Sequence, residues 1–266
     1  MVWSDGAYTG AIPEIYDRNL GQLLFAPYAD DIGQRAKQVH PRRILEIASG
    51  TGIVTEALAR ALPTALIEAT DLNQAMVDYA SSRRTNESIR WSTADAQSLP
   101  FADDSFDLVV CQFGAMFFPD RVTAFREARR VLTAEGSYLV SLWDGLAAND
   151  IARICAEAAR SVFPQDPPLF LERAPYGHAN PVAIEKDLRE AGFSNVVYDR
   201  VEKRSRGPIL AAARGLVEGT PLRFEIQTRD TKKMADVVDT AMRALEKISA
   251  GGQVDGAMAA FVFTAS

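Results

Sequence analysis

A chain of 266 residues, 47% of them hydrophobic, is long enough for one large domain or one domain with a modest insertion. Its formal net charge is −6, and its basic residues gather no further than pairs such as Arg42-Arg43 and Arg83-Arg84, which argues against nucleic acid as the main partner. The most apolar window, Leu108 to Pro119, is interrupted by Gln112 and Gly114 and falls short of the roughly 20 residues that a membrane-spanning helix needs.

Two cysteines, Cys111 in an apolar run and Cys155 in a helical pattern, read as buried free thiols in a reducing compartment. The opening "MVWSDGAYTGAIPEIYDRNL" lacks the basic start and apolar core of a secretory signal, so the expectation is a cytoplasmic protein.

In chain order, Ile44 to Ala48 is a short apolar run with Glu46 embedded in it. From Ile53 the apolar residues Val54, Ala57, Leu58, Ala61 and Leu62 keep helical spacing until Pro63 stops them. Ala65 to Thr70 predicts a second strand ending in Asp71, and Asn73 to Ser82 a helix with Met76, Val77 and Ala80 on one face. Ile89 to Thr93 predicts a third strand, ending near Asp95. "FDLVVCQF", Phe106 to Phe113, predicts a fourth and uninterrupted one. Arg121 to Leu132 reads as a charged amphipathic helix, and Gly136 to Trp143 as a fifth strand. Such alternation means parallel strands with crossover helices, an α/β sheet covered on both faces.

The remainder is less regular. Ile151 to Phe163 is helical, "PQDPPLFLERAPYGHANP" is a proline-rich loop, and Ala183 to Ala191 is a helix ended by Gly192. Ser194 to Val201 predicts a sixth strand. Helical stretches around 208–218 and 231–249 follow, separated by "EGTPLRFEIQTRD". The closing "VDGAMAAFVFTA" predicts a last strand, which needs a neighbour in a sheet.

The stretch "ILEIASGTGIVTEALARALP" resembles a dinucleotide-binding turn with a glycine missing. A strand ending in a glycine turn that opens a helix lets the backbone approach a ligand and points free N–H groups at it. Asp71 follows 19 residues after Gly52, at the end of the next strand, where an acid is placed to bind ribose hydroxyls. Three details argue against a nicotinamide cofactor. Thr55 stands where the third glycine belongs. Ala48 replaces the first. Glu46, just before the turn, would oppose a pyrophosphate. A cationic cofactor without phosphate, such as S-adenosylmethionine, suits Glu46 better.

Through "LEIASGTGIVTEALA", "ATDLNQAMVDYA", "WSTADAQSLPFADDSFDLVVCQFGAMFF" and "EARRVLTAEGSYLVSLWD", the chain resembles the class I S-adenosylmethionine-dependent methyltransferases. The likeness is to the small-molecule branch that includes the ubiquinone/menaquinone C-methyltransferases. "LREAGFSNV", 188–196, is similar to the helix-to-strand step after the fifth strand in that family. The resemblance implies a Rossmann-like, doubly wound seven-stranded sheet of order 3-2-1-4-5-7-6 with the last strand antiparallel. It implies one methyltransferase domain over 1–266, with a cofactor-binding core at about 30–145 and helical cap insertions at about 145–180 and 207–250. The family turn reads D/E-x-G-x-G-x-G, and Ala48 departs from it at the first glycine.

The resemblance also implies roles. Glu46 and the backbone of Ala48, Ser49, Gly50 and Gly52 line the methionine and ribose portion of S-adenosylmethionine. Asp71 takes the ribose hydroxyls, or is merely an acid at a helix N-terminus. Leu72 covers one adenine face. Asp95 takes the adenine amino group, or is a turn residue, and Ala96 offers a backbone N–H to the ring. Gln112 and Phe113 sit beside the sulfonium and the incoming nucleophile, or Gln112 is a polar strand end. Tyr16, Arg18 and Leu20 belong to an N-terminal helix that closes over the cofactor, or Tyr16 is a core residue.

Candidates for a catalytic role are Gln112, Tyr16 and His178 in "PYGHANP", a general base or an exposed loop residue. "DPPL", Asp166 to Leu169, echoes the D-P-P-Y of amino-methyltransferases acting on DNA bases. It follows the fifth strand rather than the fourth and reads as an ordinary rigid loop. No Cys or His cluster has metal-ligand spacing. The expected activity is methyl transfer from S-adenosylmethionine to a small-molecule acceptor, with S-adenosylhomocysteine as product. A regulator using the fold without chemistry and a nucleotide-dependent oxidoreductase are the alternatives. Expected partners are the acceptor alone, with no nucleic acid and no membrane span; a homodimer is left open.

Overall fold

The computed structural model describes residues 12–84 and 86–266. The first eleven residues, which begin the stretch read above for a secretory signal, lie outside them. The described chain opens with α1 (Ile12–Leu20), a π-helical turn (Gly21–Phe25) and α2 (Ala26–Val39). It then alternates through β1 (Arg43–Ile47), α3 (Ile53–Ala61), β2 (Leu66–Asp71), α4 (Gln74–Arg83), β3 (Ile89–Thr93), β4 (Phe106–Gln112), α5 (Arg121–Val131) and β5 (Leu132–Trp143). There follow α6 (Asp150–Val162), α7 (Phe170–Arg173), α8 (Pro181–Glu190), β6 (Val196–Pro208), α9 (Ile209–Glu218), α10 (Leu222–Asp230), α11 (Met234–Leu245), a two-residue β7 (Ser249–Ala250) and β8 (Gln253–Ala265).

The strands form one sheet of order β3-β2-β1-β4-β5-β8-β6, with β7 paired to β8. The pairs β1–β2, β1–β4, β2–β3 and β4–β5 are parallel, and β8 runs antiparallel to β5. The sheet therefore has the expected order once the small β7 is counted, which makes the last long strand the eighth.

The chain divides into two compact units. An α/β unit takes residues 28–143, 179–201 and 260–266. Its central strands β1 and β4 read as near-continuous apolar runs because both of their faces are buried. Ile44, Leu108, Val110, Leu139 and Val262 project from four strands into one buried layer with Ala29, Ile32 and Leu58 of α2 and α3. The helical unit takes the residues up to Pro27 with 144–178 and 202–259. There α6 buries Ile151, Cys155 and Ala159, α9 buries Ala212 and Leu216, and α11 buries Val237, Ala241 and Leu245. Helix α1 lies so close to α9 that a Cβ on Gly215 would come within 2.5 Å of Leu20 Cδ2. Among the described residues no helix is long and apolar enough to cross a membrane.

Several elements differ from the sequence expectation, among them α7, which lies inside the stretch expected to be a proline-rich loop, and the short β7. β5 begins at Leu132, directly after α5, instead of at Gly136. Its register with β4 jumps from Phe106↔Leu132 to Leu108↔Ser137, so the polar residues between are a bulge that reads as a turn. β6 runs on to Pro208 through exposed charged residues. "LRFEIQTRD" is a helix, α10, rather than a connector.

Candidate cofactor site

The turn after β1 is built from three left-handed residues: Ala48 at φ 54°, Gly50 at 55° and Gly52 at 81°. Glycine tolerates that region, but a Cβ there costs roughly 1–2 kcal/mol, so Ala48 is strained. The Ala48 methyl has room only because Gly114 follows β4: a Cβ on Gly114 would sit 2.4 Å from it. A Cβ on Gly52 would come within 2.6 Å of Trp91 and 2.7 Å of the Arg84 side chain. A Cβ on Gly50 would meet nothing within 4 Å, so open space lies beside the turn at that point.

Ser49 N–H donates to Thr70 O at 2.9 Å, and Gly52 N–H to Ser49 O at 2.9 Å. Gly50 N–H donates to Asp71 Oδ2 and Asn73 N–H to Asp71 Oδ1, each at 2.8 Å. Asp71 thus ties the turn to the start of α4. Each of its oxygens keeps lone-pair capacity for a further donor. Burial raises its pKa, against the two N–H groups, which lower it.

Glu46 is 2% exposed, and its Oε2 has no hydrogen-bond partner among the described residues. Burial pushes its carboxyl up to about 8. The Thr55 hydroxyl lies close enough to favour the charged form but short of good hydrogen-bond geometry. Asp71 raises the value further and Arg84 lowers it. Ser49 Oγ is likewise buried with no partner among the described residues. Buried polar atoms are normally satisfied, so the open Glu46 Oε2, Ser49 Oγ and Thr55 Oγ1 around the glycine turn leave donor and acceptor capacity there. Once ionised, a buried carboxyl with one open oxygen suits an ammonium and repels a phosphate. The donor set therefore fits S-adenosylmethionine better than a dinucleotide.

The other expected residues fall as follows. Leu72 is 73% exposed right after Asp71, an apolar surface free to cover a flat ring. Asp95 is exposed and its Oδ1 accepts from Gln97 N–H at 2.8 Å, so it does the work of a turn residue as well; Ala96 is buried. Gln112 is half-buried at the end of β4, in register with Ser141 of β5. Phe113, at φ 56°, turns its ring onto Trp143, stacked at 3.8 Å and 4°, with Tyr28 edge-on to both at 5.3 Å.

Tyr16 belongs to the helical unit, where it stacks on Phe25 at 4.7 Å and 19°. His178 ends one segment of that unit and is half-buried. Among the described residues no group of three or more His, Cys, Asp and Glu could hold a metal ion. Sequence reasoning missed Arg84, Thr55 and Gly114, all of which shape this turn.

Residues 45–140 match the family model described as "Methyltransferase domain". A malonyl-[acyl-carrier protein] O-methyltransferase of Halorhodospira halophila is 29% identical over 194 residues, 65% of this chain and 66% of its own length. A ubiquinone/menaquinone biosynthesis C-methyltransferase of Cupriavidus taiwanensis is 30% identical over 167 residues, 59% of this chain and 69% of its own length. The chain thus spans just under two thirds of the first relative and slightly more of the second. Among solved structures, the YcgJ protein of Bacillus subtilis superposes with a TM-score of 0.57 at 19% identity, over 90% of this chain and 97% of that one, a likeness of fold.

Proposed function

This chain belongs to the class I S-adenosylmethionine-dependent methyltransferases, and from that premise we propose that it transfers a methyl group from S-adenosylmethionine to a small-molecule acceptor. The observation that carries the reading is the left-handed turn of Ala48, Gly50 and Gly52 beside the buried Glu46, whose Oε2 has no hydrogen-bond partner among the described residues. When bound, S-adenosylmethionine supplies a methyl already activated by its sulfonium. What remains for the protein is alignment and the exclusion of water.

In this reading Glu46, Ser49 and the turn backbone hold the methionine portion. Asp71 accepts the ribose hydroxyls on its remaining lone pairs, Leu72 covers the adenine, and Asp95 with Ala96 reads the adenine edge. Gln112 and Phe113, where β4 ends, flank the reacting methyl. Any base is needed only for an acceptor protonated at working pH, and Gln112, Tyr16 and His178 are the side chains to test for it. Acceptor choice is assigned to the helical unit, since the residues assigned to the cofactor all lie in the α/β unit. Buried free thiols at Cys111 and Cys155 support a reducing, cytoplasmic setting.

Calorimetric titration with S-adenosylhomocysteine and with NADH tests the cofactor assignment. Binding of the former alone is expected; binding of NADH alone would return the chain to oxidoreductase chemistry. A labelled-methyl screen against phenols, quinols, carboxylates, amines and thiols tests turnover. Tight S-adenosylhomocysteine binding with no acceptor methylated in any class would favour a regulator over an enzyme.

A further inference from the structure

Arg84 stands one residue beyond the end of α4 and reaches back to the cofactor turn. Its Nε donates to Thr51 O at 2.6 Å, and its Nη1 pairs with Glu56 in the first turn of α3. Its side chain, only 17% exposed, fills the space that a Cβ on Gly52 would need, opposite the Trp91 ring. The same guanidinium acts electrostatically on Glu46. Its neighbour Arg83 points elsewhere, with its guanidinium 4.8 Å from the Tyr79 ring centre.

From these contacts we propose that Arg84 is a positioning residue for cofactor binding: it fixes the backbone between Thr51 and Glu56, where the cofactor turn enters α3. The inference rests on the methyltransferase reading given above. Thr51 O is a carbonyl of the turn itself, so a donor held on it fixes the backbone that leads from the turn into α3. A charged donor at 2.6 Å does so, and the ion pair to Glu56 keeps α3 from rotating away.

The charge has a separate consequence. The titratable and charged groups acting on Glu46 are Asp71 from β2, Cys111 from β4 and Arg84 from the end of α4, with the neutral Thr55 of α3 beside it. Asp71 and burial oppose ionisation of Glu46, and Arg84 is the cation that favours it. An ammonium is held well only by the ionised carboxylate. Affinity should therefore rise as pH climbs through the range where Glu46 loses its proton. Removing the Arg84 charge moves that range upward; a backbone-holding role alone would not.

Calorimetric titration of S-adenosylhomocysteine from about pH 6.5 to 9.5 with the full chain, Arg84→Met and Arg84→Lys separates the two effects. The ligand's own amine titrates alike in all three. At neutral pH Arg84→Met should bind about tenfold more weakly, and the midpoint of its affinity profile should lie at higher pH. Arg84→Lys keeps the charge but not the forked geometry, so the midpoint should return while part of the affinity stays lost. For 5′-methylthioadenosine, which lacks the ammonium, the pH profile should be flat in every variant. Wild-type affinity in Arg84→Met or in Arg84→Lys overturns the proposal. If Arg84→Met does not fold, the Arg84→Lys affinity alone decides. Failure of the unaltered protein to bind S-adenosylhomocysteine would instead count against the function proposed above.

Discussion

Ala48 and Gly114 share the space of one methyl group, 2.4 Å being far too short for two Cβ atoms. Gly114→Ala should destabilise the protein by about 1–3 kcal/mol, the usual cost of overpacking. Adding Ala48→Gly should recover much of that loss, since it removes both the clash and a strained left-handed alanine. A denaturation double-mutant cycle measures the coupling, and additive losses would mean the two residues do not compete for space. Glu46 gives a prediction in the opposite direction. Its folded-state pKa is raised from 4.5 to about 8, so folding favours the protonated form. Its contribution to stability is complete below about pH 4.5 and is lost as pH rises through about 8. Glu46→Gln should thus melt with the wild type at pH 5 and above it at pH 9, in the absence of ligand, while binding S-adenosylhomocysteine more weakly. Equal melting at both pH values would show that the carboxyl is not buried in charged form. Glu46, Gly50, Gly52 and Asp71 were legible in the sequence because each answers a local demand at a fixed distance from a strand end. Arg84 was not, because one of two adjacent arginines at a helix end reads as solvated surface until the chain folds back on the turn.

At the scale of elements, the "DPPL" loop shows how a motif loses its meaning in context. Arg229 of α10 donates to the carbonyls of Asp166 and Pro167 at 2.7 and 3.2 Å, and pairs with the Asp166 carboxylate. Glu225, one turn earlier, accepts the N–H groups of Leu169 and Phe170 at 2.7 and 3.3 Å and so caps α7. The loop is thus held by helix α10. Glu225→Ala should lower stability by about 1–2 kcal/mol through the lost cap. Asp166→Asn should leave turnover of any identified acceptor unchanged, and a large fall in that turnover would restore a catalytic reading of the loop. The helix responsible was not legible. "LRFEIQTRD" buries only Leu222 and Ile226, too few positions to betray a 3.6-residue period. The second half of β6 was missed for a related reason: an edge strand needs backbone pairing more than an apolar face, and its exposed Arg204 and Arg206 read as loop. The parallel strands β1 to β4 were read correctly to within a residue or so: β1 and β4 are buried along most of their length and mainly apolar, whereas the more exposed β3 shows itself by its β-branched and aromatic Ile89, Trp91 and Thr93.

For the whole molecule, the two units are joined by more than a linker. The chain passes between them five times, at 27–28, 143–144, 178–179, 201–202 and 259–260. Two of those passages fall inside β6 and β8, each a single continuous strand. Melting either unit alone would cut a strand in mid-length and strand its remaining half without its ladder, so unfolding should be one cooperative transition. The described tryptophans offer a direct check. Trp91 and Trp143 both lie in the α/β unit, so in a Trp3→Phe variant fluorescence reports that unit alone, whereas far-ultraviolet dichroism sees the helices of both units. Denaturant curves followed by fluorescence and by dichroism should therefore coincide. Saturating S-adenosylhomocysteine, at about a hundred times its Kd, should move both curves together by about 2.7 kcal/mol, because a ligand bound only to the native state stabilises everything that unfolds with its site. A dichroism curve that splits, or that stays in place while fluorescence shifts, would show that the helical unit unfolds on its own. The strand continuity of β6 and β8 would then be too weak to couple the units.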